Sequence, residues 1–322
     1  MRLSPTLHRL IYESRLAVVV CCFAYLVFSL VLFITSGLHN ADAIALGFGS
    51  REHLLGMILL MSLLPTWLIG CMFITQRNSF KVATLLDHRL AESVSAIPSS
   101  HVWWGIFGGV IYALAFNVPI SQFELVLAGD GPMIAIFIGQ IMVWAAIGCM
   151  LAVRLYVGNQ FYRYGERVPI NIFEQTRLEP FARIGLLDIV IVLGGVAIST
   201  VQSIDAQFRI ENYLTAFIVA IPASITLLVR PMWTVHQRLS ARKKELKEEV
   251  LAEIRAQPEA TDAESVATLE RLLQRRDRVN ALHTWPFDIS TWSRLFFYGL
   301  IPPIAWVAAA LVEVVVERVI GG

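Results

Sequence analysis

Seven long apolar runs decide which folds are open to this 322-residue chain. Each is close to, or longer than, the roughly 20 residues that an α-helix needs to cross the hydrocarbon core of a bilayer. The runs cover approximately residues 16–36, 54–75, 102–120, 132–156, 184–203, 213–230 and 295–316. The sequence therefore predicts an all-α, polytopic membrane protein with about seven transmembrane spans.

The composition agrees with a chain that is largely dissolved in lipid. Hydrophobic residues make up 56% of it and charged residues only 16%, whereas soluble domains carry about 25% charged residues. The formal net charge of +1 gives no reason to expect nucleic-acid binding. The lipid bilayer is the first partner that the sequence predicts.

The placement of lysine and arginine predicts the orientation of the spans. Of the 26 basic residues, 23 fall in the N-terminal segment or in the loops that share its side, and the exceptions are Arg51, Arg209 and Arg318. Basic residues concentrate on the cytoplasmic side of membrane proteins. We therefore expect a cytoplasmic N-terminus and, with seven spans, an external C-terminus. Short loops and the compact size suggest a bacterial inner membrane.

The polar segment between the sixth and seventh runs predicts a cytoplasmic amphipathic helical hairpin. Apolar residues recur at helical spacing from Val235 to Ile254, and Pro258 ends that pattern. Residues 261–264 then form a capping-box pattern that opens a second helix. An amphipathic helix needs a partner surface for its apolar face. Residues 235–282 are thus the expected contact with a cytoplasmic protein partner.

These patterns divide the chain into three parts. They are a transmembrane bundle at 1–230, the hairpin at 231–290 and a kinked seventh span at 291–322. Two connections also carry local signals. Apolar residues at helical spacing between 80 and 97 indicate a helix that lies either in the membrane interface or against other segments. Residues 129–132, Gly-Asp-Gly-Pro, predict a turn before the fourth run.

The last span combines a predicted kink with two carboxylates. Pro302 and Pro303 each remove a backbone donor and clash with the preceding turn, so the helix should bend or break there. Glu313 and Glu317 share one helix face near the external end. Around an oligomer axis they would form carboxylate rings, which favour cations. A structural kink and two solvated carboxylates are the simpler interpretation.

Polar residues inside the other runs are few, and each is a candidate site because polar groups are costly in lipid. Asp188 lies one turn into the fifth run, with Arg183, Arg154 or Arg230 as its expected partner. A salt bridge is the simpler role for this carboxylate, and a gate or proton site is the functional alternative. Gln140 and Asn117 are amides inside the fourth and third runs, and interhelical hydrogen bonding is their expected role.

The sequence offers no signal for a catalytic, cofactor or metal site. Its four cysteines all lie in apolar runs and form no CxxC pattern. No HExxH, GxSxG or P-loop motif occurs, and the seven histidines show no paired ligand spacing. An enzyme is therefore the least favoured class. A cytoplasmic-facing cavity joining Asp188 to His101 or to the arginines of the fourth loop would favour it again.

Two functional hypotheses follow from these features. The first is a transport protein or oligomeric ion channel, with the kinked last span near the path, and it predicts a continuous polar path. The second is a non-transporting scaffold or sensor whose hairpin binds a partner protein. It predicts a dry, tightly packed bundle and an exposed apolar stripe on the hairpin.

Overall fold

A computed structural model describes residues 14–117, 120–173, 178–203, 210–257 and 263–285. This part of the chain is helical and contains no β-strand. Its ten α-helices are α1 (Arg15–Thr35), α2 (Arg51–Leu86), α3 (His88–Ser95), α4 (Ser99–Tyr112), α5 (Ile120–Leu127), α6 (Gly131–Gly165), α7 (Glu179–Ser199), α8 (Ile210–Val229), α9 (Trp233–Ala256) and α10 (Ala263–Ala281).

Four of these helices are long and apolar enough to cross a membrane. They are α1, α2, α6 and α7, the last extended by a 3₁₀ turn at Thr200–Ser203, and they coincide with the first, second, fourth and fifth predicted spans. The apolar part of α8 and the polar α9 form a pair bent by 52°, which raises the number to five if the pair counts as one span.

The third predicted span differs from the expectation. The third run forms α4, which has only 14 residues and passes into a five-residue π-helix at Ala113–Asn117. An α-helix of 14 residues is too short to cross the hydrocarbon core alone, which needs about 20. The predicted seventh span, with Pro302, Pro303, Glu313 and Glu317, lies outside the described residues.

Helices α1, α2, α4, α6 and α7 run in alternating directions along the chain. Tyr25 of α1 donates a hydrogen bond to the carbonyl of Met61 in α2, and Ser14 before α1 accepts one from Arg77 in α2. Helix α6 is parallel to α2, because Gly139 lies against Met61 and Arg154 donates to Ser79, and α4 is antiparallel to α6, because Gly105 lies against Gly148 and Gly109 against Trp144. Helix α7 is antiparallel to α2, because the indole of Trp67 donates to the carbonyl of Ile191 and Gly56 lies against Gln202. All these helices therefore begin or end at one of two ends of the bundle.

Two hydrophobic cores are stacked along the bundle. The bundle core lies between α1, α2, α6 and α7, and its buried residues include Phe33, Leu64, Ile136, Met150 and Ile191. The junction core lies at the end where α2 and α6 finish. Its buried residues include Ala83, Val94, Phe161, Phe181, Met232 and Leu239.

The second core exists because α2 and α6 are longer than a bilayer is thick. With 36 and 35 residues they are about 54 and 52 Å long, against a hydrocarbon core of about 30 Å. Their last turns project beyond the apolar region, and α3, α9 and α10 gather around them. Of the two positions predicted for the amphipathic segment at 80–97, the structure adopts the packed one, because Leu90, Ala91 and Val94 of α3 are buried in the junction core.

The connection before α6 contains the predicted turn and a short helix. Gly129 has a φ of +82°, a left-handed conformation that glycine adopts without strain. Asp130 caps α6, accepting a hydrogen bond from the backbone nitrogen of Met133 at 2.9 Å. Helix α5 precedes this turn, within residues that the sequence had indicated only as a loop.

Candidate functional site

A fully buried ion pair joins α6 to α7. The Nε of Arg154 donates to Oδ1 of Asp188 at 2.6 Å, and both residues are 0% exposed. The same guanidinium reaches α2, where Nη2 donates to Oγ of Ser79 at 3.0 Å and Nη1 to Oε1 of Gln76 at 3.4 Å. These four residues, Gln76, Ser79, Arg154 and Asp188, are called the ionic layer below.

The layer lies where the two hydrophobic cores meet. On α2, bundle-core residues precede Gln76 and junction-core residues follow Ser79. On α6, Met150 belongs to the bundle core and Val157 to the junction core, so Arg154 lies between them. A charged group in this position is isolated from water by apolar side chains on both sides.

Local sequence brings the α2 partners onto one face. Gln76 and Ser79 are three residues apart, a spacing that places both side chains on the same side of a helix. The Nε2 of Gln76 donates to the carbonyl of Val94 at 2.9 Å, which links α3 to the layer. The hydroxyl of Ser79 donates to the carbonyl of Thr75 at 2.8 Å, so its oxygen is oriented to accept from Arg154. Three helices thus meet at one guanidinium, and Gln76 links α3 to them.

In the Arg154–Asp188 pair, each buried charge is stabilised by the other. Removing two ions from water costs several kcal/mol each, and the cost is offset only by close geometry and further hydrogen bonds. Arginine suits this position because its planar guanidinium offers five donors and stays charged. Oδ2 of Asp188 is buried without a hydrogen-bond partner, so the carboxylate retains capacity for one more donor.

The structure distributes the predicted polar residues over different places. Asp188 is in the ionic layer, and of its three expected partners Arg154 is the one that binds it. Gln140 is buried, and its Oε1 has no hydrogen-bond partner. It lies 14 residues before Arg154 on α6, about 21 Å along the helix, so it belongs to a different level of the bundle. Asn117 ends the π-helix after α4.

Two members of the ionic layer, Gln76 and Ser79, were not predicted as site residues. Arg154 was predicted only as one of three possible partners of Asp188, since basic residues at the end of an apolar run are normally explained by orientation in the membrane. Its immediate neighbours, however, form the apolar string MLAV before it and LYVG after it. A charged residue with apolar residues on both sides along the chain predicts a position inside the helix bundle.

Two contacts connect the helices of the ion pair to α9. At the end of α6, Nη1 of Arg238 in α9 donates to the carbonyls of Gly165 at 2.8 Å and Val168 at 2.7 Å. At the start of α7, Gly185 lies so close to Leu228 that a Cβ on the glycine would be 2.7 Å from the Leu228 carbonyl oxygen. Leu228 is in the last turn of α8, which leads directly into α9.

Helices α9 and α10 pack against each other. Arg275 of α10 donates to both carboxylate oxygens of Glu253 in α9, at 3.2 and 3.0 Å. Lys243 of α9 donates to the carbonyls of Asn280 and Leu282, at 2.8 and 2.7 Å, where α10 ends. A cation at a helix C-terminus satisfies carbonyls that have no intrahelical partner and complements the helix dipole.

Asp188 and His101 lie in different places in the described part of the chain. His101 lies in a groove between α4 and α6, whereas Asp188 faces α2 and α6 from α7, so the two are not joined in one cavity. Within the described ranges, no group of three or more His, Cys, Asp or Glu side chains is arranged to hold a metal ion.

The length and apolar character of the helices fit an integral membrane protein with transmembrane helices. No protein-family model, curated protein or solved structure matches this chain.

Proposed function

We propose that this protein is a membrane-anchored sensor or scaffold, in which the ionic layer couples the membrane bundle to a partner-binding surface on α9 and α10. In this proposal the N-terminus is cytoplasmic and the α9–α10 pair is a cytoplasmic hairpin. The chain crosses a bacterial inner membrane seven times, with α4 and the π-helix that follows it together forming the third crossing. The observation that carries it is that Arg154 lies on α6, whose end binds α9, and Asp188 lies on α7, which packs against the last turn of α8 just before α9.

The interior of the bundle supports this choice over transport. Between the level of Gln140 and the ionic layer, the core consists of apolar side chains such as Val143, Met150 and Ile191, and the cavity of about 70 Å³ at this level has an apolar lining. A sensor needs a rigid bundle with one contact whose loss strongly changes the stability of the bundle. A buried ion pair is such a contact, because removal of either charge leaves the other buried and unpaired.

The free face of the hairpin supports a protein partner. Val266 of α10 is 52% exposed, and Leu269 and Leu273 on the same helix are only half-buried. Leu239, Leu246 and Val250 of α9 are buried, so the α9 face is already covered. We infer that the partner presents an amphipathic helix to α10, completing a small bundle by the rules of helix packing.

Hydrogen exchange in nanodiscs tests the coupling. The substitution Asp188→Asn leaves Arg154 without its counter-charge, and we expect faster amide exchange in α9 and α10 as well as in the ionic layer. Glu179→Gln is the matched control, because it neutralises an exposed carboxylate in the first turn of the same helix. Faster exchange confined to α6 and α7, with α9 and α10 unchanged, would contradict the proposal.

Photo-crosslinking in intact cells tests the partner surface. A photoreactive residue at Val266 should give one discrete protein adduct. The same residue at Leu85, which is 85% exposed at the end of α2, should not give that adduct. The adduct should also weaken in the Asp188→Asn background. If Val266 yields only lipid adducts, the surface has no protein partner and the proposal fails.

One observation favours transport as a second candidate. Oδ2 of Asp188 and Oε1 of Gln140 are both buried acceptors without donors, at two levels of the bundle. Such groups are places where a proton, a cation or water is held during transport. In this alternative, Glu313 and Glu317 of an oligomer lie at the external mouth, and the Pro302–Pro303 kink shapes the path.

Flux measurements separate the two candidates. Proteoliposomes loaded with a pH-sensitive dye should acidify in an imposed gradient if the protein conducts protons, and Asp188→Asn should abolish the flux. Glu313→Gln should reduce it only if the last span lines the path. Flux of protons and monovalent cations no faster than in empty liposomes would exclude this alternative.

A further inference from the structure

A groove open to the outside runs along α4 and α6, away from the ionic layer. Its volume is about 610 Å³, and Val219 of α8 forms part of its wall. The lining changes in character from one end to the other. Ser100, His101 and Asn159 lie at the end that adjoins the junction core, and Tyr112 and Trp144 lie at the opposite end.

Glycines explain how the groove forms. The backbones of α4 and α6 are in direct contact, since a Cβ on Gly109 would lie 2.1 Å from the Trp144 carbonyl oxygen and one on Gly148 would lie 2.2 Å from that of Gly105. Gly108 is different. A Cβ built there meets nothing within 4 Å, so this residue faces the open space of the groove.

The length of the groove matches one leaflet of a bilayer. His101 and Tyr112 are 11 residues apart on α4, which corresponds to about 17 Å along the helix. Half of a hydrocarbon core is about 15 Å thick. The apolar part of the groove therefore has the length over which a lipid acyl chain extends from its headgroup to the bilayer midplane.

The polar end carries a cation. Arg230, at the end of α8, is exposed, and its Nε donates to Oδ1 of the groove residue Asn159 at 2.8 Å. Its guanidinium carbon lies 4.6 Å from the centre of the Tyr162 ring, which holds the side chain beside the groove. The rings of His101 and Tyr156 are 5.2 Å apart at the same end. This end suits an anionic headgroup, because arginine matches phosphate geometry.

We propose that this groove is a specific binding site for one membrane lipid with an anionic phosphate headgroup. An acyl chain lies over Gly108 between Trp104 of α4 and Ile147 of α6, and the headgroup contacts Arg230 and the polar side chains of His101 and Asn159. The site is independent of the ionic layer and of the proposed function.

Native mass spectrometry tests the site on the full-length protein, released from nanodiscs of mixed phosphatidylglycerol and phosphatidylcholine. We expect one phosphatidylglycerol to remain bound. Gly108→Leu should remove it, because the new side chain fills the groove without touching a backbone atom. Arg230→Gln should keep a bound lipid but lower the preference for phosphatidylglycerol by about fivefold, the effect of one basic residue near an anionic lipid.

Controls make the outcomes decisive. Ile111→Phe adds bulk to an exposed position of α4 outside the groove lining and should retain the lipid. If Gly108→Leu does not fold, Arg230→Gln still tests the headgroup contact. Equal retention of the two lipids by the wild type, retention of lipid by a folded Gly108→Leu variant, or a change of oligomer mass instead of lipid loss would overturn the proposal.

Discussion

Arg154 shows how strongly a single side chain can depend on its partners. Its guanidinium is 0% exposed and reaches three side chains on two other helices. Replacing it with Met leaves the Asp188 carboxylate buried and uncompensated, which we expect to cost about 3–5 kcal/mol of unfolding free energy. Unfolding in detergent with increasing dodecyl sulfate measures this loss.

The double substitution is the informative companion to that experiment. Arg154→Met with Asp188→Leu removes both charges, so no ion remains buried without a counter-ion. Buried pairs replaced by apolar residues are often neutral or stabilising. We expect the double variant to be clearly more stable than Arg154→Met alone. If the two variants are equally unstable, the pair is not coupled as the structure indicates.

Two adjacent glycines give a second prediction at the residue scale. Gly109→Ala places a methyl group 2.1 Å from the Trp144 carbonyl oxygen, which forces α4 and α6 apart, whereas Gly108→Ala points into open space. The first should lower the thermal unfolding temperature. The second should leave it unchanged or raise it slightly, since alanine is favoured over glycine in a helix by about 1 kcal/mol. A similar loss in both variants would contradict the close helix contact.

The sequence identified Asp188 as a candidate site but did not identify Gln76 and Ser79, for a physical reason. A carboxylate one turn inside an apolar run is costly in free energy, so it is easily recognised as a candidate site. Gln76 and Ser79 lie just after an apolar run, where polar residues are ordinary. Their role depends on α3 and α6 packing against the same face of α2, which sequence spacing alone does not reveal.

At the scale of the helix, side chains that cap helix ends fix the position of α9. Arg238 donates to the carbonyls of Gly165, the last residue of α6, and of Val168, which lies just after that helix. Arg238→Met should therefore cost about 2 kcal/mol, the value of hydrogen bonds made by a charged group. It should also speed amide exchange at the start of α9.

The control for that prediction is on the same helix. Arg242 is exposed and pairs with Glu245 at 2.9 Å, and exposed pairs of this kind contribute little. Arg242→Met should leave both stability and exchange unchanged. Equal effects of the two substitutions would mean that the net charge of α9, rather than the contact with α6, determines its position.

Helix existence was easier to predict than helix length. Four apolar runs gave helices of the expected kind, but α2 and α6 continue 11 and 9 residues beyond the predicted ends of their spans, because the junction core buries those turns as well. The α-helix formed by the third run is shorter than the apolar run itself, and the chain continues as a π-helix from Ala113. The hydropathy of a segment indicates whether lipid or water surrounds it, but it does not indicate where the helix ends.

For the whole molecule, the alternating helix directions allow a direct test of orientation. Leu85 and Leu127 are both 85% exposed and lie at opposite ends of the bundle. In a background without the four native cysteines, Leu85→Cys should react only with membrane-permeant reagents in whole cells. Leu127→Cys should react with impermeant reagents too. The reverse pattern would mean that the N-terminus lies outside.

Helices α2 and α6 run without a break from the bundle core into the junction core. A helix whose apolar length differs from the thickness of its bilayer responds by tilting. Because no hinge separates the two parts of α2 or of α6, such a tilt displaces the far ends of both helices, where α3 and α9 are attached. Changes in lipid chain length would thus reach the surface of the protein as movement, without any ligand.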